Sequence, residues 1–134
     1  MRYMMLIYSH EAESGPPPEK QDEMKARHWA VIEEATRRGI LLGCEPLAPT
    51  ASATTVRMQP DGKPMITDGP FAETKEQLAG YYILECANLD EALEWAAKIP
   101  SGCRGDSGCI EVRPLPGLPV RREEELTAGA ARNV

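Results

Sequence analysis

Two side chains in this sequence have the type and setting for proton-transfer chemistry: His28 and Asp68. An imidazole titrates near working pH, and a neighbouring carboxylate can orient the ring and stabilise its charged form. His28 falls near the middle of the apolar face of a long predicted helix, so it reads either as a general acid/base or as a buried neutral histidine satisfied by a backbone carbonyl. Asp68 ends a strand and opens a turn, a place where the working side chains of sheet proteins often sit. Its structural alternative is capping, in which it accepts from the N–H groups of Phe71 or Ala72 while Pro70 fixes the backbone. Both roles are compatible, because a capping carboxylate keeps a second oxygen. Arg57, Tyr82 and Lys75 are further candidates for lining a pocket beside the helix.

Other chemistries find little support. With only His10 and His28, a histidine-rich metal site is not indicated. No glycine loop of a phosphate-binding type is present, so no nucleotide cofactor is expected. Cys44 and Cys86 sit in apolar strand-like contexts and read as small packing residues. Cys103 and Cys109 flank a glycine-rich loop and suit a local bridge formed on air oxidation better than a zinc site. Gly105-Asp106-Ser107-Gly108 resembles the nucleophile segment of chymotrypsin-like proteases, yet those enzymes need two β-barrels and this chain has 134 residues. Fifteen basic against 21 acidic residues give a formal charge of −6, which disfavours nucleic acid as a direct partner.

The elements that must position these residues follow from periodicity. The apolar run Tyr3–Tyr8 is too short to span a bilayer or to act as a secretory leader. It reads as a first, central strand covered on both faces, and with it the protein is expected in the cytoplasm. Pro18 can open a helix that runs to about Thr36–Arg38 and stops at Gly39. Met24, His28, Val31, Ile32 and Ala35 share one face of it, with Trp29 at the shoulder and Lys25, Glu33 and Arg37 pointing away.

A second strand begins at Ile40. Ala53–Met58 and Lys63–Thr67 flank the turn Pro60-Asp61-Gly62 as a hairpin. Gly80–Cys86 is a strong strand, and Phe71 is expected as a core plug. Asn88 to Glu91 is a capping-box-like start for a helix with Leu89, Ala92, Leu93, Ala96 and Ile99 as its buried stripe and Trp95 at the shoulder. Cys109–Arg113 is the last strand, stopped by Pro114. Residues 115–134 are expected as a Pro-containing arm or tail.

This order predicts one α+β domain over residues 1–114, an antiparallel sheet with two helices on one face. The other sheet face keeps apolar side chains, and a second copy of the chain is the simplest cover, so a homodimer is expected.

The run Asp68-Gly69-Pro70-Phe71-Ala72-Glu73-Thr74-Lys75-Glu76 followed by Gln77-Leu78-Ala79-Gly80-Tyr81-Tyr82 resembles the signature of the DGPF subgroup of YCII-related proteins. Met1–Tyr8, Ala53–Arg57, Leu89–Ala96 and Glu111–Pro114 extend the resemblance over residues 1–114. The resemblance implies a ferredoxin-like fold of the dimeric α/β-barrel type. It also implies a histidine and an aspartate meeting in a cleft, though no established reaction. DGPF proteins occur alongside sigma factors of the extracytoplasmic-function type, which implies a regulatory setting. Two functions therefore stand: an enzyme or small-metabolite binder using His28 and Asp68, or a non-catalytic dimeric module that binds such a sigma factor.

Overall fold

The computed structural model describes residues 1–12, 15–101 and 107–118. The chain forms β1 (Arg2–Ser9), α1 (Pro18–Arg37), β2 (Leu41–Pro46), a 3-10 turn (Thr50–Ser52), β3 (Thr54–Met58), β4 (Pro64–Asp68), β5 (Gln77–Glu85), α2 (Leu89–Lys98) and β6 (Gly108–Leu115). Four strands make one antiparallel sheet in the order β2-β5-β1-β6, while β3 and β4 pair only with each other. With that ribbon set aside, the succession is β-α-β-β-α-β, consistent with the ferredoxin-like plan and with the expected α+β class. No helix among the described residues is long and apolar enough to cross a membrane.

Alternation along β1 sets the layers. Tyr3, Met5, Ile7 and Ser9 are buried, while Met4, Leu6 and Tyr8 are only half-buried. The buried set joins Val31 and Ala35 of α1 with Ala92 and Trp95 of α2 in one core. The central strand is thus covered on one face rather than two, as a two-layer sandwich requires. Met5, Tyr82 and Leu84 lie at the centre of this core, each contributing roughly 1.5–3 kcal/mol of burial.

The helix ends follow their local chemistry. Pro18 stands at the first turn of α1, and Gly39 at φ 71° takes the left-handed conformation that lets the chain reverse into β2. Asn88 caps α2 by accepting from the Glu91 N–H at 2.9 Å, and the Glu91 carboxylate accepts in return from the Ala87 N–H at 3.2 Å.

Four further expectations are corrected. The stripe of α2 is Ala92, Trp95 and Ile99, with Leu89 and Leu93 exposed. Trp95 is 3% exposed, roofed by the Lys98 ammonium 4.6 Å from the ring centroid and by Arg38 at 5.6 Å. Phe71 is no core plug: it is 71% exposed. Pro114 does not end the last strand, which runs through it to Leu115. Because β6 is an edge strand, a residue lacking an N–H can sit there without orphaning a ladder partner. Cys103 and most of the C-terminal arm lie outside the described residues.

Candidate functional site

A cleft of about 1070 Å³ opens between α1 and the β2–β5 side of the sheet. Its α1 wall is a stripe at helical spacing, Gln21, Met24, Lys25, His28, Trp29 and Ile32. The opposing wall comes from Cys44–Pro46 of β2 and Ala79–Tyr82 of β5. Glu11, Ala12, Gly15, Pro16 and Pro49 form the rim.

The rim is tied down by side chains near the sheet's end. The Glu11 carboxylate accepts from the Thr50 N–H at 3.1 Å and from its hydroxyl at 2.8 Å. The Glu11 N–H donates to the Gln77 side-chain oxygen at 2.8 Å. These bonds hold the segment after β1 against the 3-10 turn, so the mouth has a built shape. In the cleft wall β2 and β5 approach so closely that a Cβ on Gly80 would lie 2.9 Å from the Glu45 carbonyl oxygen and 3.3 Å from the Pro46 Cα. Only glycine fits that crossing.

At the heart of the cleft the His28 Nδ1 lies 2.7 Å from the Tyr82 hydroxyl, with the two rings nearly parallel at an interplanar angle of 12°. Tyr82 is 1% exposed, so its ring and hydroxyl are fixed by the core. Cys44 is the cross-strand partner of Tyr82 on β2 and lines the same cleft. Burial, with the Arg27 charge adding to it, lowers the His28 pKa below its ordinary value of 6.5, so the imidazole is neutral at pH 7. Burial likewise pushes the Cys44 thiol above its ordinary range. A neutral imidazole has two tautomers. With the proton on Nδ1 the ring donates to the Tyr82 oxygen and Nε2 is basic; with it on Nε2, Tyr82 donates to Nδ1. Interchange between them is the movement that general acid/base chemistry uses.

Of the five candidates read from the sequence, the structure brings two together, His28 and Tyr82. Asp68 ends β4 on the exposed ribbon and is not part of the cleft lining. The turn is closed by other groups: the Gly69 N–H donates to the Ala53 carbonyl at 2.7 Å, and the Thr55 hydroxyl to the Gly69 carbonyl at 2.7 Å. Gly69 has φ 94°, the conformation expected of a glycine there. Arg57 is committed to the Phe71 carbonyl at 2.8 Å, and Lys75 presents its carbonyl to His10 Nδ1 at 3.0 Å. Neither lines the cleft.

Three cleft residues were assigned other roles by the sequence. Cys44 packs against the core as expected and also lines the cleft, Trp29 is 61% exposed in the cleft wall, and Lys25 faces the cleft rather than away from it. The signal for the helical pair was the stripe itself, since positions 25 and 29 lie one turn apart beside His28. Among the described residues, no group of three or more His, Cys, Asp or Glu could hold a metal ion.

A model of the YCII-related domain matches residues 1–116. An uncharacterised protein of Rhizobium meliloti (strain 1021) is 39% identical over 116 residues, which cover 86% of this chain and 92% of that relative.

Proposed function

The chain belongs to the YCII-related domain family, and on that premise we propose that the cleft beside α1 is a small-molecule site in which His28 and Tyr82 form the proton-transfer pair. The observation that carries this reading is the 2.7 Å bond between a half-buried imidazole and a core-fixed hydroxyl inside a mostly apolar cleft. Apolar clefts with a few convergent polar groups are where small ligands bind. Asp68 then belongs to the ribbon's turn, and Tyr82 takes the place beside His28 that the sequence had suggested for it. The Asp68–Glu76 run supports assignment to the DGPF subgroup.

The test is ligand-induced thermal stabilisation across a metabolite collection. A stabilising compound should lose its effect with His28→Asn and with Tyr82→Phe, while Asp68→Asn leaves it intact. Equal stabilisation of His28→Asn and the unaltered chain would remove His28 from the site.

We further propose a homodimer of the α/β-barrel type. Cross-strand register puts Val56, Met58, Pro64 and Ile66 on one face of the β3–β4 ribbon, all exposed. A two-stranded ribbon with a bare apolar face is marginal alone. The half-buried Met4, Leu6, Tyr81 and Ile83 form a second apolar surface, on the sheet face opposite the helices. One two-fold pairing can cover both surfaces, which favours a second copy over a heterologous partner such as a sigma factor. Light scattering that finds only monomer at micromolar concentration would contradict it.

A further inference from the structure

We propose that the cleft selects a planar, conjugated carboxylic acid, with Lys25 taking the carboxylate and Trp29 stacking on the planar body. This rests on the reading of the cleft as a small-molecule site and adds the class of ligand.

Trp29 is among the most exposed large apolar side chains of the chain, at 61%, and it lies in the wall of a cleft. The other tryptophan, Trp95, is spent on the core. An indole standing at a cleft offers a flat, polarisable surface at little entropic cost, since only two side-chain torsions are ordered on binding. Lys25 stands one helical turn before it, on the same ridge of α1. Among the described residues it is the one lysine or arginine in the cleft lining and makes no salt bridge.

Among the described residues, two carboxylates of the lining bear on where the ligand's charge sits. Glu11 has both oxygens engaged by Thr50, and Glu45 belongs to the opposing β2 wall. An anionic group is therefore favoured at the α1 end and disfavoured against β2. Between them Met24, Ile32, Pro46 and Pro49 supply apolar surface for a body larger than one ring, as a cleft of about 1070 Å³ allows. His28 lies within the same stripe, between Lys25 and Ile32, and so reaches the middle of such a ligand rather than its acid end.

The experiment uses calorimetric titration of the full chain with three matched probes: 2-naphthoate, its neutral counterpart 2-naphthylmethanol, and the saturated decahydro-2-naphthoate. A 15N-edited spectrum follows the two indole N–H signals. We expect 2-naphthoate to bind about tenfold more tightly than either comparator, the size of one charge-assisted contact or one aromatic stack. Lys25→Met should erase the preference for the acid over the alcohol. Trp29→Leu should erase the preference for the planar over the saturated acid. The Trp29 indole signal should move on titration and the Trp95 signal should not.

Both residues are exposed on the helix, so neither variant threatens the core. An alcohol that binds as tightly as the acid, or an acid preference that survives Lys25→Met, overturns the inference and leaves the cleft a small-molecule site. Failure of all three probes with an unmoved Trp29 signal overturns the inference, and the site reading falls with it only if no compound of the metabolite collection stabilises the chain.

Discussion

Tyr82→Phe removes one oxygen atom from the centre of the molecule and leaves the ring. Tyr82 is 1% exposed, so the phenylalanine keeps the packing and the cavity term of a larger truncation does not arise. What is lost includes the 2.7 Å bond to His28 Nδ1. A net intramolecular hydrogen bond is worth about 1 kcal/mol, and leaving a buried partner unsatisfied adds to that. His28 is only partly buried and can recruit water, which holds the total to about 1–2 kcal/mol. For a domain of this size that is a fall in Tm of roughly 3–8 °C, measured by calorimetry or circular dichroism. The second readout is the imidazole itself: two-bond 1H–15N couplings report which nitrogen carries the proton, and loss of the hydroxyl should shift the tautomer ratio. A Tm within a degree of the parent, together with an unchanged tautomer ratio, would show that the hydroxyl and imidazole are not bonded in solution. The proton-transfer pair would then fall with it.

Two further outcomes follow from the same structure. The folded-state pKa of His28 lies below its unfolded value, so folding favours the neutral ring. The stability this protects is complete above about pH 6.5 and declines as pH falls through that value toward the lower folded pKa. His28→Asn should flatten this part of the Tm–pH curve, and an unchanged curve would argue that the ring is solvated. Gly80→Ala should destabilise by about 1–3 kcal/mol in urea unfolding, because the new methyl meets the Glu45 carbonyl and the Pro46 backbone rather than a movable side chain. A neutral result there would mean that β2 can move away from β5.

The layered fold was legible because its elements carry their own punctuation. Pro18 and Gly39 bound α1, Asn88 and Glu91 cap α2, and the Pro60-Asp61-Gly62 turn sits where β3 folds back on β4. The side chains that a single element does not place are those whose surroundings come from remote segments. Trp29 and Trp95 look alike on a helical wheel; only the presence of Arg38 and Lys98 over one of them, and of an open cleft beside the other, separates them. Cys44 and Tyr82 are cross-strand partners in the β2–β5 pairing, 38 positions apart, which no local pattern reveals. Asp68 drew attention through the prominence of its motif, yet that motif builds a turn at the root of the ribbon. His28 was found because one polar residue in an apolar stripe is visible in any single helix.

The β3–β4 ribbon also divides the molecule in time. It is joined to the main sheet through its connections and shares no strand pairing with it. Its amides can therefore open to solvent without loosening β1 or β5, where both walls of each strand are hydrogen-bonded. Hydrogen exchange in an isolated chain would run in two tiers, with the ribbon fast through local opening and the strands behind the cleft slow through global unfolding. A second copy that covers the ribbon would merge the tiers, so the exchange rate of Val56 and Ile66 would serve as a clock for assembly that leaves the cleft untouched.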